Sequence, residues 1–218
     1  MKNMLLILSC LIVISCKNNS IDTFFSQAKI DELTNLLEAD HLALKVDDNV
    51  YNLLIDNSQI KKTIILEEFS KIVALELFNA VSEKLPEIYN DPEIRIIYKG
   101  AEFMEYQYKF SFLSEIDQGI KVISKVFDSL RRGNQNYIES FYINQKCYKK
   151  PAIKVNVNWK EIKSVSFIGF GDSEVELCGQ TITSRVFRTN ILPQDQMIWV
   201  YSDLDNYKIF ALVSSENI

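Results

Sequence analysis

The chain has 218 residues, 47% hydrophobic and 11% aromatic, with only 6 glycines. This is the composition of an ordered globular chain and excludes disorder over most of its length. Its 24 basic and 29 acidic residues give a net charge of -5, and the lack of any basic cluster excludes nucleic acid as a partner.

The sequence opens on Met1-Lys2-Asn3, one positive charge on a short polar stub, and continues as an almost wholly apolar run from Met4 to Ile14. A charged start, an apolar stretch of about a dozen residues and a small residue at the break are the parts of a secretory signal. The run is too short to cross a hydrocarbon core, which takes about 20 helical residues. The polar stretch Lys17-Asn18-Asn19-Ser20 ends it. The junction Val13-Ile14-Ser15-Cys16 resembles the lipobox of bacterial lipoproteins: two aliphatic residues, a small residue, then cysteine. That resemblance implies that residues 1–15 are a cleavable signal and that the Cys16 thiol carries lipid. Residues 16–20 then form a short tether, and the bilayer is a partner through Cys16. Each buried methylene contributes about 0.8 kcal/mol, so two or three acyl chains hold a protein on a membrane where one does not. Cys10 repeats the pattern but leaves too short an apolar run before it. In lipoproteins resembling those of enteric bacteria, Asp after the lipidated cysteine retains the protein in the inner membrane. Lys17 stands there instead, which implies the outer membrane of the cell envelope.

Next, Ile30, Leu33, Leu36 and Leu37 fall on one face of a helix expected over residues 21–38. Two apolar runs, 42–46 and 50–55, flank Asp47-Asp48-Asn49 and predict a hairpin. Leu66, Phe69, Val73, Leu77, Ala80 and Val81 keep the helical period over residues 64–85, and Pro86 stops that helix. Residues 93–99 read as a strand. From 105 to 112 Tyr106, Tyr108, Phe110 and Phe112 alternate with polar residues, which predicts a half-buried strand with an aromatic side. That row is either a core face or the lining of a ligand groove. Ser114 is placed to cap a helix over 115–131, with Asp117 at the capping-box distance and Gly133 ready to end it. A short helix is expected over 135–143.

From Pro151 the chain reads as sheet, with strands at 153–159, 163–170, 173–178, 181–188, 197–201 and 207–213. Turn chemistry separates them at Gly171-Asp172, Gly179-Gln180, Pro193 and residues 203–206. Strands following helices, instead of alternating with them, make the fold class α+β, with helices packed on a mainly antiparallel sheet. Residues 21–113 form an N-terminal α+β region, and residues 114–218 a helix-helix-sheet region. The run from Phe127 to Asn134 into Tyr137–Tyr142, with the closing Tyr207–Val213, resembles the cystatin-like and nuclear transport factor two-like folds. That likeness implies a cone of helix and antiparallel sheet and leaves the function open, because such folds host enzymes and binders alike.

The chemistry is sparse. Once the signal leaves and Cys16 is acylated, Cys147 and Cys178 remain, either joined as a disulfide in the oxidising envelope or separate buried thiols. His41 is the only histidine, which counts against nucleophilic hydrolysis. No histidine pair and no nucleotide-binding loop is present, so no metal, nucleotide or other cofactor is expected. Asp172, Glu174 and Glu176, spaced by two, share one face of a strand. They either cover an edge with charge or act on a substrate in an envelope hydrolase. Asp203 and Asp205 lack the glycine and the later glutamate of a calcium loop, and read as a turn. The function expected is a lipid-anchored, non-enzymatic binding module with a protein partner in the envelope; a carboxylate hydrolase is the alternative.

Overall fold

In the computed structural model, residues 21–56, 65–82, 91–100, 103–134, 152–154, 157–177, 180–193, 196–202 and 209–214 are described. Cys16, Cys147, Cys178, Asp203, Asp205 and the helix expected over 135–143 lie outside them. The class is α+β: the described residues hold three α-helices and two mainly antiparallel sheets, with the C-terminal half rich in strands.

A 3-10 turn, Ile21–Thr23, precedes helix α1, Gln27–Leu36. The single helix expected over 21–38 is therefore broken. The Ser26 hydroxyl accepts the Lys29 N–H at 3.4 Å and restarts the helix there, while Phe25 turns into the core. Strands β1, His41–Asp47, and β2, Val50–Asp56, form the expected hairpin in an antiparallel register that closes on Asp47 opposite Val50. Asp48 takes a left-handed φ of 50° in the turn, a conformation that Asp and Asn reach at lower cost than other non-glycine residues.

Helix α2, Ile65–Ser82, carries the chain to β3, Glu93–Lys99, which lies parallel to β2. Strand β4, Phe103–Lys109, returns antiparallel and completes the order β1-β2-β3-β4. Register stacks the inward residues in rows across this sheet. Val46, Tyr51, Ile94 and Tyr108 form one row, and Leu44, Leu53, Ile96 and Tyr106 the next. Leu53, Ile94 and Ile96 are fully buried, as are Val73, Leu77 and Val81 of α2.

The aromatic strand expected over 105–112 is corrected. Strand β4 stops at Lys109, and Phe110 begins helix α3, Phe110–Arg132, five residues before the start the sequence suggests. Ser114 lies within the helix and caps nothing. The cap comes from far along the chain. Asp91 accepts the Ser111 N–H at 2.9 Å and the Ser111 hydroxyl at 3.0 Å, and Pro92 accepts the Phe110 N–H at 2.8 Å. These contacts satisfy donors that every helix start leaves open. At the other end Gly133 takes φ 66° and closes the helix as expected.

The second sheet has the order β5-β9-β8-β7-β6. Its strands are β5, Ala152–Lys154, β6, Ser164–Leu177, β7, Gln180–Leu192, β8, Gln196–Ser202, and β9, Ile209–Ser214. Strands β6 to β9 form an antiparallel meander, and β5 pairs parallel to β9. The turn expected at Gly171-Asp172 is not one. Both residues stay in register opposite Val186 and Arg185, so β6 runs unbroken, and its irregularity falls between Phe167 and Gly169. Of the strand expected over 153–159, the described part is Ala152–Lys154. Trp159 sits in a 3-10 turn, Trp159–Glu161, with its ring 5.8 Å from that of Phe127 on α3. One cluster of buried side chains, from Phe25 to Leu212, joins both sheets through α2 and α3.

Replacing Asp91 by Ala should lower stability by about 1 kcal/mol, the usual cost of losing a helix cap, with added strain at its φ of 40°. Asp91→Asn, which keeps an acceptor and tolerates that φ, should lose less. Urea unfolding of the two variants checks this, and equal midpoints would refute it.

Candidate functional site

Polar side chains concentrate where α2 meets the two sheets. Ser70, fully buried on α2, donates its hydroxyl proton to the Glu67 carbonyl at 2.7 Å and lies 2.6 Å from the Tyr108 hydroxyl. With the serine proton used, Tyr108 is the donor in that second bond. Tyr98 packs edge-on to Tyr106, their centroids 6.1 Å apart. Its hydroxyl is buried and finds no hydrogen-bond partner among the described residues. Burial pushes the Tyr108 phenol up to about 12, despite the Ser70 bond, with Glu67, Tyr106 and Glu68 adding to the rise. Burial also raises Tyr98 well above the ordinary tyrosine range, helped by Tyr108 and Tyr106. Burial holds both phenols in their neutral form, with only the Tyr108 hydroxyl hydrogen-bonded among the described residues.

One turn away, Lys71 lies 3.1 Å from both Glu67 and Glu68, and Glu68 also takes the Arg188 guanidinium from β7. This ion pair sits over the backbone of β6 at Gly169. A Cβ there would lie 2.8 Å from Arg188 Nη2 and 3.1 Å from Glu68 Oε2, so only glycine leaves room for the pair as it stands. Each carboxylate is matched by a cation. The arrangement clamps α2 to the second sheet, and neither acid is left unpaired for proton transfer. Glu68 and Arg188 are 120 residues apart, so the sequence offered only the spacing of Lys71 from Glu67 and Glu68 as a signal.

The acidic row is placed as expected, with Asp172, Glu174 and Glu176 on one face of β6, opposite Arg185, Thr183 and Thr181. Its members differ in surroundings. Asp172 accepts the Arg185 Nε–H at 2.7 Å, and the buried guanidinium lies 5.3 Å above the Phe112 ring. Glu174 and Glu176 are exposed. Strand β8 is described as far as Ser202, opposite Arg185, and from there to Leu177 and Gln180 the strands β6 and β7 pair with each other. Among those residues no group of three histidine, cysteine or acidic side chains is placed to hold a metal ion. His41 is exposed at the start of β1, opposite Asp56.

The aromatic row divides. Tyr106 and Tyr108 point inward on β4, while Phe110 and Phe112 belong to α3. Residues facing the other way on the first sheet make the broader surface. Ala43, Leu54 and Ile97 form a half-buried aliphatic row across β1, β2 and β3, ending on exposed Glu105 of β4. Phe103, 66% exposed, begins β4 beside them. Arg95 flanks the row and pairs with Glu105 and Glu93 at 3.7 Å each, and Gln107 donates to Glu93. An aliphatic centre with a charged rim is the pattern of a contact surface. Leu53-Leu54-Ile55 and Ile96-Ile97-Tyr98 announce it in sequence, because unbroken apolar runs mark strands apolar on both faces.

Compared with protein-family models, with curated proteins and with solved structures, the chain matches none.

The tyrosines make stability depend on alkaline pH. Their folded-state pKa values lie above the unfolded value near 10, so the folded state holds protons that the unfolded state loses. This contribution is complete below about pH 10 and disappears as pH rises toward the Tyr108 value of about 12. Ultraviolet titration of phenolate should show two tyrosines that ionise only with unfolding, and Tyr108→Phe should remove one. Full ionisation of all tyrosines in a still-folded chain would contradict this.

Proposed function

We propose that the protein is a bacterial envelope lipoprotein, anchored by lipid on Cys16, whose body acts as a non-enzymatic binding module. The junction Val13-Ile14-Ser15-Cys16 behind an eleven-residue apolar run carries this reading. Among the described residues no helix is long and apolar enough to cross a membrane, which accords with attachment from the surface. The outer face of the first sheet, with Leu54, Ile97 and exposed Phe103, supports a role in contact with another protein. The carboxylate alternative draws less support, since Asp172 is held by Arg185 and the two other acids stand exposed. Lys17 after the anchor favours the outer membrane.

Metabolic labelling with a fatty-acid analogue tests the anchor. The chain should take up label and sediment with membranes, and Cys16→Ser should lose both. Persistent labelling of that variant would overturn the reading. A photo-crosslinking residue at Phe103 tests the surface in the same cells. It should give discrete protein adducts where one at exposed Glu32 on α1 gives none, and equal yields at both would refute a role for this face.

A further inference from the structure

The end of the body next to the anchor is fixed by geometry. Only residues 17–20 separate Cys16 from Ile21, so a fully extended chain spans at most about 18 Å between them. Ile21 begins a turn that is itself packed down. Ile21 and Phe24 lie against the core, Phe25 is buried within it, and the Phe24 ring meets Tyr51 edge-on at 6.1 Å. Tyr51 is the second residue of β2, next to the hairpin turn. The same end of the sheet carries the Asp91 loop, since Glu93 donates its N–H to the Asn49 carbonyl at 2.9 Å and Asp91 caps α3. Helix α1 then leads away to the opposite end, where the Asp40 N–H bonds the Asp56 carbonyl at 2.8 Å. Seven-residue strands set the two ends about 20 Å apart.

Resting on the lipoprotein reading, we propose that the turn end of the first sheet is the face held toward the bilayer, with the strands standing away from it. The short tether sets this pose, and the charge on that end does nothing to help it. Asp22, Asp47, Asp48 and Asp91 are all exposed there, against Lys109 alone among the cations at the ends of β3 and β4. An acidic end gains nothing from anionic headgroups, and its repulsion acts over a screening length of about 8 Å. Attachment is then left to the lipid. The far end, with His41, Lys99 and Phe103, is presented outward.

The lipidated full-length protein, reconstituted in phosphatidylethanolamine–phosphatidylcholine vesicles, tests this directly. A carbodiimide joins carboxylates to the headgroup amine wherever the two touch, and peptide mass spectrometry locates the adducts. Adducts should be enriched several-fold on Asp47, Asp48 and Asp91 over Glu38 and Asp40. A long flexible glycine–serine insert after Ser20 should abolish that preference while the protein still floats with the vesicles. In a floating chain, adducts concentrated on Glu38 and Asp40, or a preference that survives the insert, would overturn the orientation alone. A chain that carries no acyl mass and fails to float would overturn the lipoprotein reading itself.

Discussion

The first turn of α3 is the constraint on which the rest of the structure depends. Phe110 and Phe112 are two residues apart on a helix, roughly 200° around its axis. They therefore point to opposite sides. Phe110 packs on Tyr51 and Phe78, at 5.7 and 5.2 Å, and so belongs to the first sheet and α2. Phe112 meets Phe170 at 5.9 Å and stacks under Arg185, and so belongs to the second sheet. Were these residues in a strand, both rings would lie on one face and the two sheets would lose their common layer. Asp91 holds the helix start in place, which makes an exposed loop carboxylate a determinant of how the two halves meet.

Electrostatics complete what packing begins. The pair of Glu68 with Arg188 joins α2 to β7, and Gly169 on β6 is bare so that the pair fits. Neutral tyrosines and a buried serine fill the space between α2 and β4. Ser70 and Tyr108 bond each other and the charges of Glu67, Glu68, Lys71 and Arg188 are paired, while the buried Tyr98 hydroxyl finds no partner among the described residues.

On the reading proposed above, function rests on surfaces and on position. The first sheet buries one face under its helices and leaves on the other an aliphatic row rimmed by paired charges. In the orientation proposed above, a short tether at the acidic turn end holds that face upright and clear of the bilayer.

The sequence by itself determined whatever local patterning encodes. The hairpin around Asp48, the bounds of β3, the run of α2 and the glycine closing α3 were all legible, because period, turn residues and caps act within a few positions of each other. The outer face was legible in part, through apolar runs that do not alternate. Tertiary structure alone decided the end of β4, since Tyr106 to Phe112 alternates well enough for a strand and the cap that makes it a helix lies 20 residues away. It also decided that β6 passes straight through Gly171-Asp172, because partners on β7 supply every ladder bond there and override a weak turn preference. The clamp of Glu68 and Arg188 belongs to the same class: a contact across 120 residues leaves no trace in spacing, and only the folded chain brings its members together.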